Sequence, residues 1–153
     1  MMRGMLRGAA AGAAGTTALD AASYADMALR GRPASSTPER SVETLAQALR
    51  IRIPGEGDTR RGRLQGLGAL TGMVTGVGVG ALLGAAHELG WRPRPLTGGL
   101  LTAALALVAA NGPMAVLGVS DPRTWSAADW ISDVVPHLAY GVVTYVTLAA
   151  LDD

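Results

Sequence analysis

Glycine recurs at every fourth position from residue 68 to residue 84, in a stretch without a charged side chain. So many glycines would destabilise a helix in water. In a lipid bilayer, however, each unpaired backbone group costs several kcal/mol, so an apolar chain there has to be helical. We therefore predict a transmembrane helix whose glycine face lets a second helix backbone approach closely. The glycines of this repeat are Gly68, Gly72, Gly76, Gly80 and Gly84.

The composition also indicates a membrane protein. Charged residues make up 16% of the chain, against about 25% in soluble domains. A net charge of +1 gives no support for nucleic-acid binding. Because the chain has no cysteine, disulfides, thiolate metal sites and cysteine nucleophiles are excluded.

Four stretches are candidate membrane spans, and together they predict a single all-α membrane domain over residues 1–153. Each of the last three is at least about 20 residues long, enough to cross a bilayer. The predicted fold is an integral membrane four-helix bundle with glycine-zipper packing. The four spans are residues 4–29, 64–89, 96–119 and 131–151.

The first span is the least hydrophobic of the four. Its Gly8 and Gly12 continue a four-residue spacing, so they are expected to dock against the glycine repeat of the second span. Its start resembles a weak secretory signal, but the Ala/Gly-rich centre favours a retained membrane segment. Asp20 lies within this span, where a carboxylate costs on the order of 2.5–3.5 kcal/mol.

Residues 30–63 form a polar linker that contains one amphipathic helix. Ser36 and Glu39 have the spacing of a capping box at its start. The helix either lies along the membrane interface or packs across the mouth of the bundle. The linker holds eight of the 13 arginines, which favours the cytoplasmic side. The apolar face of the helix comprises Val42, Leu45, Ala46, Leu49 and Ile53.

Asp133 and His137 are one helical turn apart in the last span, with Pro136 between them. A carboxylate beside an imidazole is common in proton relays, so the pair is a candidate proton- or ligand-binding spot. Alternatively, His137 satisfies a neighbouring helix and Asp133 reaches the interface. Asn111, next to Pro113, either faces this pair or joins two helices by a hydrogen bond.

The remaining polar candidates are Asp20 and His87. Asp20 either serves a function, accepts a hydrogen bond from Thr16, Thr17 or Ser23 of its own helix, or pairs with His87 across the glycine interface. The chain has two histidines, 50 residues apart. We therefore expect no metal site and no cofactor.

The pattern near both ends of the chain resembles the YagU-like small inner-membrane proteins. The opening shares a Gly/Ala-rich first helix and a basic turn at Arg30-Gly31-Arg32-Pro33. The resemblance implies a multi-pass fold and points to Asp133, where the family pattern has Glu, and to His137. It implies no reaction. The later part of the match runs through Gly112-Pro113-Met114-Ala115-Val116-Leu117-Gly118, Pro122, Trp125, Asp133, His137-Leu138 and Tyr140.

Two functions fit these observations. The first is an accessory or structural subunit of the bacterial cytoplasmic membrane, packing through Gly/Ala faces against its own copies or a larger membrane complex. The second is a homo-oligomeric transporter or channel component with a polar path of Asp20, Asn111, Asp133 and His137. We expect no enzyme, because no nucleophile and base are paired by spacing.

Overall fold

The chain folds into helices joined by short connections. The computed structural model describes residues 1–152, and Asp153, the last residue of the predicted domain, lies outside them. No strand occurs within that range, which confirms the all-α prediction. The helices are α1 (Met2–Arg30), α2 (Thr37–Ala48), α3 (Gly57–Glu88), α4 (Pro95–Val116) and α5 (Ala127–Asp152), with a 3-10 turn at Pro122–Thr124.

Three helices, α3, α4 and α5, are long and apolar enough to cross a membrane. Protein covers little of their apolar surface: 22% of the most apolar stretch is buried in α3 and in α4, and 39% in α5. Large aliphatic side chains such as Val74 and Val108 therefore point outward, which in water would be an unfavourably large exposed patch. Although α1 has 29 residues, it is not among these three helices, because glycine, threonine and Asp20 lower its hydropathy.

The long helices alternate in direction. At the start of α1, Gly4 N donates a 2.7 Å hydrogen bond to the Glu88 carboxylate at the end of α3. At the other end of α1, the Arg30 side chain donates to Ser132 near the start of α5. Thus α1 lies antiparallel to both α3 and α5. It contacts both helices, and α4 packs mainly on α5.

The backbones of α1 and α3 touch where glycines face each other. A Cβ atom on Gly8 would lie 2.8 Å from Gly84 Cα, and one on Gly80 would lie 2.6 Å from Gly12 Cα. Both distances are shorter than real Cβ contacts, so glycine is required at these crossing points. At Gly76 the neighbours are instead the side chains of Thr16 and Tyr140.

The glycine contact with α1 ends at Gly76, so two glycines of the repeat do not meet α1. Gly68 faces the start of α2, where its Cβ position lies 3.1 Å from Pro38 Cβ. Gly72 has open space at its Cβ position. The reason is that the start of α2 lies against this half of α3, and α1 contacts α3 nearer its C-terminal end.

The start of α2 differs from the predicted capping box. Ser36 has φ −90° and ψ 3°, outside the extended region, and its side chain makes no cap hydrogen bond. Ser35 Oγ accepts instead from Thr37 N at 3.2 Å. The helix ends at Ala48, before Ile53 of the predicted apolar face. It packs on α3, where Arg60 donates a 2.7 Å hydrogen bond to Glu43.

Candidate ligand cleft

The side chains of Asn111, Asp133 and His137 meet where the end of α4 lies beside the start of α5. Asn111 Nδ2 donates a 2.7 Å hydrogen bond to Asp133 Oδ2. His137 Nδ1 lies 2.7 Å from the backbone carbonyl oxygen of Asp133 and 3.4 Å from its Oδ1. The structure thus brings three of the predicted polar residues together, and the Asn111 hydrogen bond fits both alternatives, since it faces the pair and joins two helices.

The hydrogen bond to the backbone fixes the tautomer of neutral His137. A carbonyl oxygen can only accept, so Nδ1 must carry the proton. Nε2 then has a bare lone pair, and it has no hydrogen-bond partner within the described chain. The residue is only 7% exposed. His137 therefore presents an unused acceptor from an almost buried ring.

This cluster lies in the wall of a cleft of about 600 Å³. The cleft is bounded by the C-terminal half of α1, the linker after it, the end of α4, the 3-10 turn region and the start of α5. Most of its surface is apolar. The apolar and aromatic side chains are Leu19, Tyr24, Met27, Met114 and Trp125, together with Pro33 and Pro38 of the linker.

Pro136 adds a further acceptor to the cleft. Proline has no backbone N–H, so the carbonyl of Ser132, four residues earlier, does not receive its usual helical hydrogen bond. Both Ser132 and Pro136 line the cleft. The start of α5 thus has a backbone carbonyl that lacks its usual helical donor, about one turn from His137.

Three charged side chains line the cleft: Arg32, Asp129 and Asp133. The Arg32 guanidinium is engaged by Asp26 at its Nε and by the Pro33 carbonyl at 3.3 Å. Asp129 accepts from Ser126 N at 2.9 Å and from Ser126 Oγ at 2.6 Å. Arg32 shares the single charge of Asp26 with Arg30, and the Arg30 charge also acts on Asp129. Within the described residues, Asp133 is therefore the carboxylate of the cleft that has no arginine partner; its neighbours are Asn111 and His137.

The loop before α5 is braced by its own residues. Trp125 Nε1 donates to Ser120 Oγ at 3.0 Å, and the Trp125 and Trp130 ring centroids are 5.1 Å apart. Hydrogen bonds from the Arg123 guanidinium hold the pKa of Asp121 below its usual value. These contacts position Trp125 at the edge of the cleft.

His87 lies at the opposite end of the bundle and does not pair with Asp20. Its Nδ1 is 2.9 Å from Asp152 Oδ2, and Asp152 also accepts from Arg7 at 3.2 Å and lies 3.6 Å from Arg92. The sequence analysis missed Asp152 as a partner because 65 residues separate it from His87 and no short-range spacing relates them.

Asp20 stands apart from both polar clusters. Thr16 and Thr17, two of its expected donors, donate instead to the backbone carbonyls of Gly12 and Ala13, at 2.9 and 3.1 Å. Over residues 1–152 the Asp20 carboxylate makes no hydrogen bond or ion pair. The structure therefore does not bring Asp20 to Asn111, Asp133 and His137.

A packed, mostly apolar layer separates the two ends of the bundle, although Thr102 and Thr144 are also buried in it. Ala106, Tyr140 and Leu148 are at most 6% exposed. The Tyr140 hydroxyl donates a 2.6 Å hydrogen bond to the Gly76 carbonyl. Within the described range, no three His, Asp or Glu side chains are grouped closely enough for a metal ion.

No protein-family model, no curated protein and no solved structure matches the chain.

Proposed function

We propose that the chain is a multi-pass protein of the bacterial cytoplasmic membrane, with α1 as a fourth span. Burial of α1 against α3 and α5 supports this, because a weakly apolar helix can remain in a bilayer when its neighbours cover it. The close backbone contacts at Gly8 and Gly80 support a glycine-zipper four-helix bundle, with α2 at the interface. We also propose that the chain is a member of the YagU-like proteins.

We further propose that the protein binds a small ligand in the cleft, as a component of transport rather than as an enzyme. The observation that carries the proposal is the unused Nε2 acceptor of the nearly buried His137 in the cleft wall. A mostly apolar cavity with a few convergent polar groups is the usual form of a small-molecule site. Ionisable residues inside a membrane protein commonly mark such sites.

A channel is less well supported than a binding site. The polar path would have to include Asp20 and continue past Tyr140, yet an apolar layer lies between the cleft and the His87 end. Transport by this chain would therefore need a conformational change or a second copy. We therefore also propose that the chain forms a homo-oligomer.

The accessory-subunit function has one specific observation in its favour. The glycines of the α1–α3 contact are used inside the chain, so they are not available to a partner. Residues 69–74 of α3, however, are exposed throughout, and Gly72 has open space at its Cβ position. This segment would suit a helix of another copy or of a larger membrane complex.

Cysteine labelling tests whether the cleft is an open site, since the natural chain has no cysteine. Ser23 lines the cleft, so Ser23→Cys in lipid particles should react with a water-soluble maleimide. Ala11→Cys, at a residue that is 0% exposed, is the unreactive control. Asp58→Cys, at a side chain 94% exposed, is the reactive one.

The result expected is labelling of Ser23→Cys at a rate nearer to Asp58→Cys than to Ala11→Cys. Asp133→Asn and His137→Ala should also accumulate as well as the natural protein. An inert Ser23→Cys, together with loss of Asp133→Asn from the membrane, would show a structural polar cluster and would favour the accessory function.

A further inference from the structure

We propose that the cleft recognises an N–H-bearing ammonium group attached to an apolar body. Asp133 would be its counter-ion, and His137 Nε2 and the Ser132 carbonyl would accept its hydrogen bonds. This inference rests on the proposed binding function and names the chemical class of its ligand. The evidence is the charge of the cleft, the type of its free hydrogen-bonding groups and the character of its walls.

The charge of the cleft favours a cation. Of its three charged side chains, Arg32 pairs with Asp26 and Asp129 lies near the Arg30 guanidinium, whereas Asp133 makes no ion pair with an arginine in the part of the chain described. Asp133 receives a neutral amide donor from Asn111 at 2.7 Å. Such a hydrogen bond orients the carboxylate and leaves its charge uncompensated, so an ammonium ion would supply the missing partner.

The free hydrogen-bonding groups nearest to Asp133 on α5 are acceptors. In neutral His137, Nε2 carries an acceptor lone pair, because Nδ1 holds the proton and donates to the Asp133 carbonyl at 2.7 Å. The Ser132 carbonyl can only accept and is released by Pro136. An ammonium group that carries N–H bonds can serve these acceptors and Asp133 at once. A carboxylate or phosphate in the same position would meet these lone pairs and the negative charge of Asp133.

The walls suit an apolar or aromatic body. Leu19, Met27 and Met114 are apolar, and Tyr24 and Trp125 add aromatic faces that can attract a cation. A volume of about 600 Å³ lies in the range of sites for small organic molecules. The same ammonium chemistry occurs in free amines and in the headgroup of phosphatidylethanolamine.

Three probes that share a naphthalene ring and differ in their charged group test which charged group the cleft prefers. The full chain is placed in phosphatidylcholine particles and titrated by calorimetry with 2-(naphthalen-2-yl)ethylamine, its N,N,N-trimethyl derivative and naphthalen-2-ylacetate. The primary amine should bind at least about tenfold more tightly than the trimethyl compound, because charged hydrogen bonds contribute about 1.5–3 kcal/mol. The carboxylate should not bind above the level of empty particles.

Variants locate the site. Asp133→Asn should weaken binding of the primary amine by about tenfold or more, since the substitution keeps the shape of the side chain and removes its negative charge. Asp58→Asn, at a side chain 94% exposed on α3, should bind as the natural protein does. The comparison of the three probes on the natural chain needs no variant, so it stands even if Asp133→Asn is unstable.

Equal binding of all three probes, preference for the carboxylate, or undiminished amine binding by a folded Asp133→Asn protein would overturn the ammonium assignment. If Ser23→Cys is labelled in that case, the cleft is still an open site and only the ligand class is wrong. Competition by phosphatidylethanolamine in mixed-lipid particles would identify a lipid headgroup as the source of the ammonium. Unchanged affinity would identify a free amine.

Discussion

Asn111 donates a 2.7 Å hydrogen bond to the carboxylate of Asp133 and so joins the end of α4 to the start of α5. Hydrogen bonds between helices in membranes are worth about 0.6–1.7 kcal/mol. Because Asp133 also faces the cleft, losing this donor leaves its carboxylate accessible to water. We therefore expect Asn111→Ala to lower the free energy of unfolding in bicelles by about 1 kcal/mol.

A double-mutant cycle assigns that loss to the pair. Asn111→Ala should cost much less in an Asp133→Asn background than in the natural chain, since the charged acceptor is already gone. Equal costs in both backgrounds would mean that Asn111 contributes through packing on α5 and not through Asp133.

The glycine contact between α1 and α3 predicts opposite outcomes for two glycines of α3. A Cβ on Gly80 would lie 2.6 Å from Gly12 Cα, whereas one on Gly78 would meet nothing within 4 Å. Gly80→Ala should therefore lower the free energy of unfolding by about 1–3 kcal/mol, the usual cost of overpacking. Gly78→Ala should be neutral. Thermal unfolding of the two purified variants checks this, and similar losses from both would place the tight contact elsewhere.

Local patterns in the sequence predicted the helices well, because each pattern is a property of one segment. The apolar lengths of α3, α4 and α5 match three of the predicted spans, and the one-turn spacing of Asp133 and His137 puts both in the cleft wall. Whether Asn111 would join them remained open, since that depends on how α4 lies beside α5.

The sequence did not predict contacts that depend on where helices diverge. The four-residue spacing treats Gly72 and Gly80 alike, but α1 contacts α3 at Gly80 and no longer at Gly72. Similarly, His87 pairs with Asp152 because α3 and α5 end at the same level of the bundle. Asp20, one of whose expected partners was His87 across the glycine interface, lies several turns further along α1, because the start of α1 is the part that meets the His87 end.

Tyr140 links α5 to α3 through its hydroxyl, which donates to the Gly76 carbonyl at 2.6 Å. The ring is 1% exposed, so Tyr140→Phe keeps the packing and removes one buried hydrogen bond. The expected loss is about 1 kcal/mol in the free energy of unfolding. Tyr24→Phe, at a residue 64% exposed, is the control and should change stability by less than about 0.5 kcal/mol. A neutral Tyr140→Phe would show that the hydroxyl adds nothing to the α3–α5 contact.

The cluster around Asp152 predicts a stabilising role for the end of the bundle opposite the cleft. Its carboxylate, 9% exposed, serves His87 at 2.9 Å and Arg7 at 3.2 Å. Asp152→Asn keeps the shape but removes the charge, so the free energy of unfolding should fall by about 1.5–3 kcal/mol, the range for hydrogen bonds to charged groups. Asp58→Asn should cost less than about 0.5 kcal/mol, because that side chain is exposed. Binding of the naphthylethylamine probe should survive Asp152→Asn, since the apolar layer at Tyr140 and Leu148 separates this cluster from the cleft. Loss of probe binding in a folded Asp152→Asn protein would instead show that the two ends are coupled.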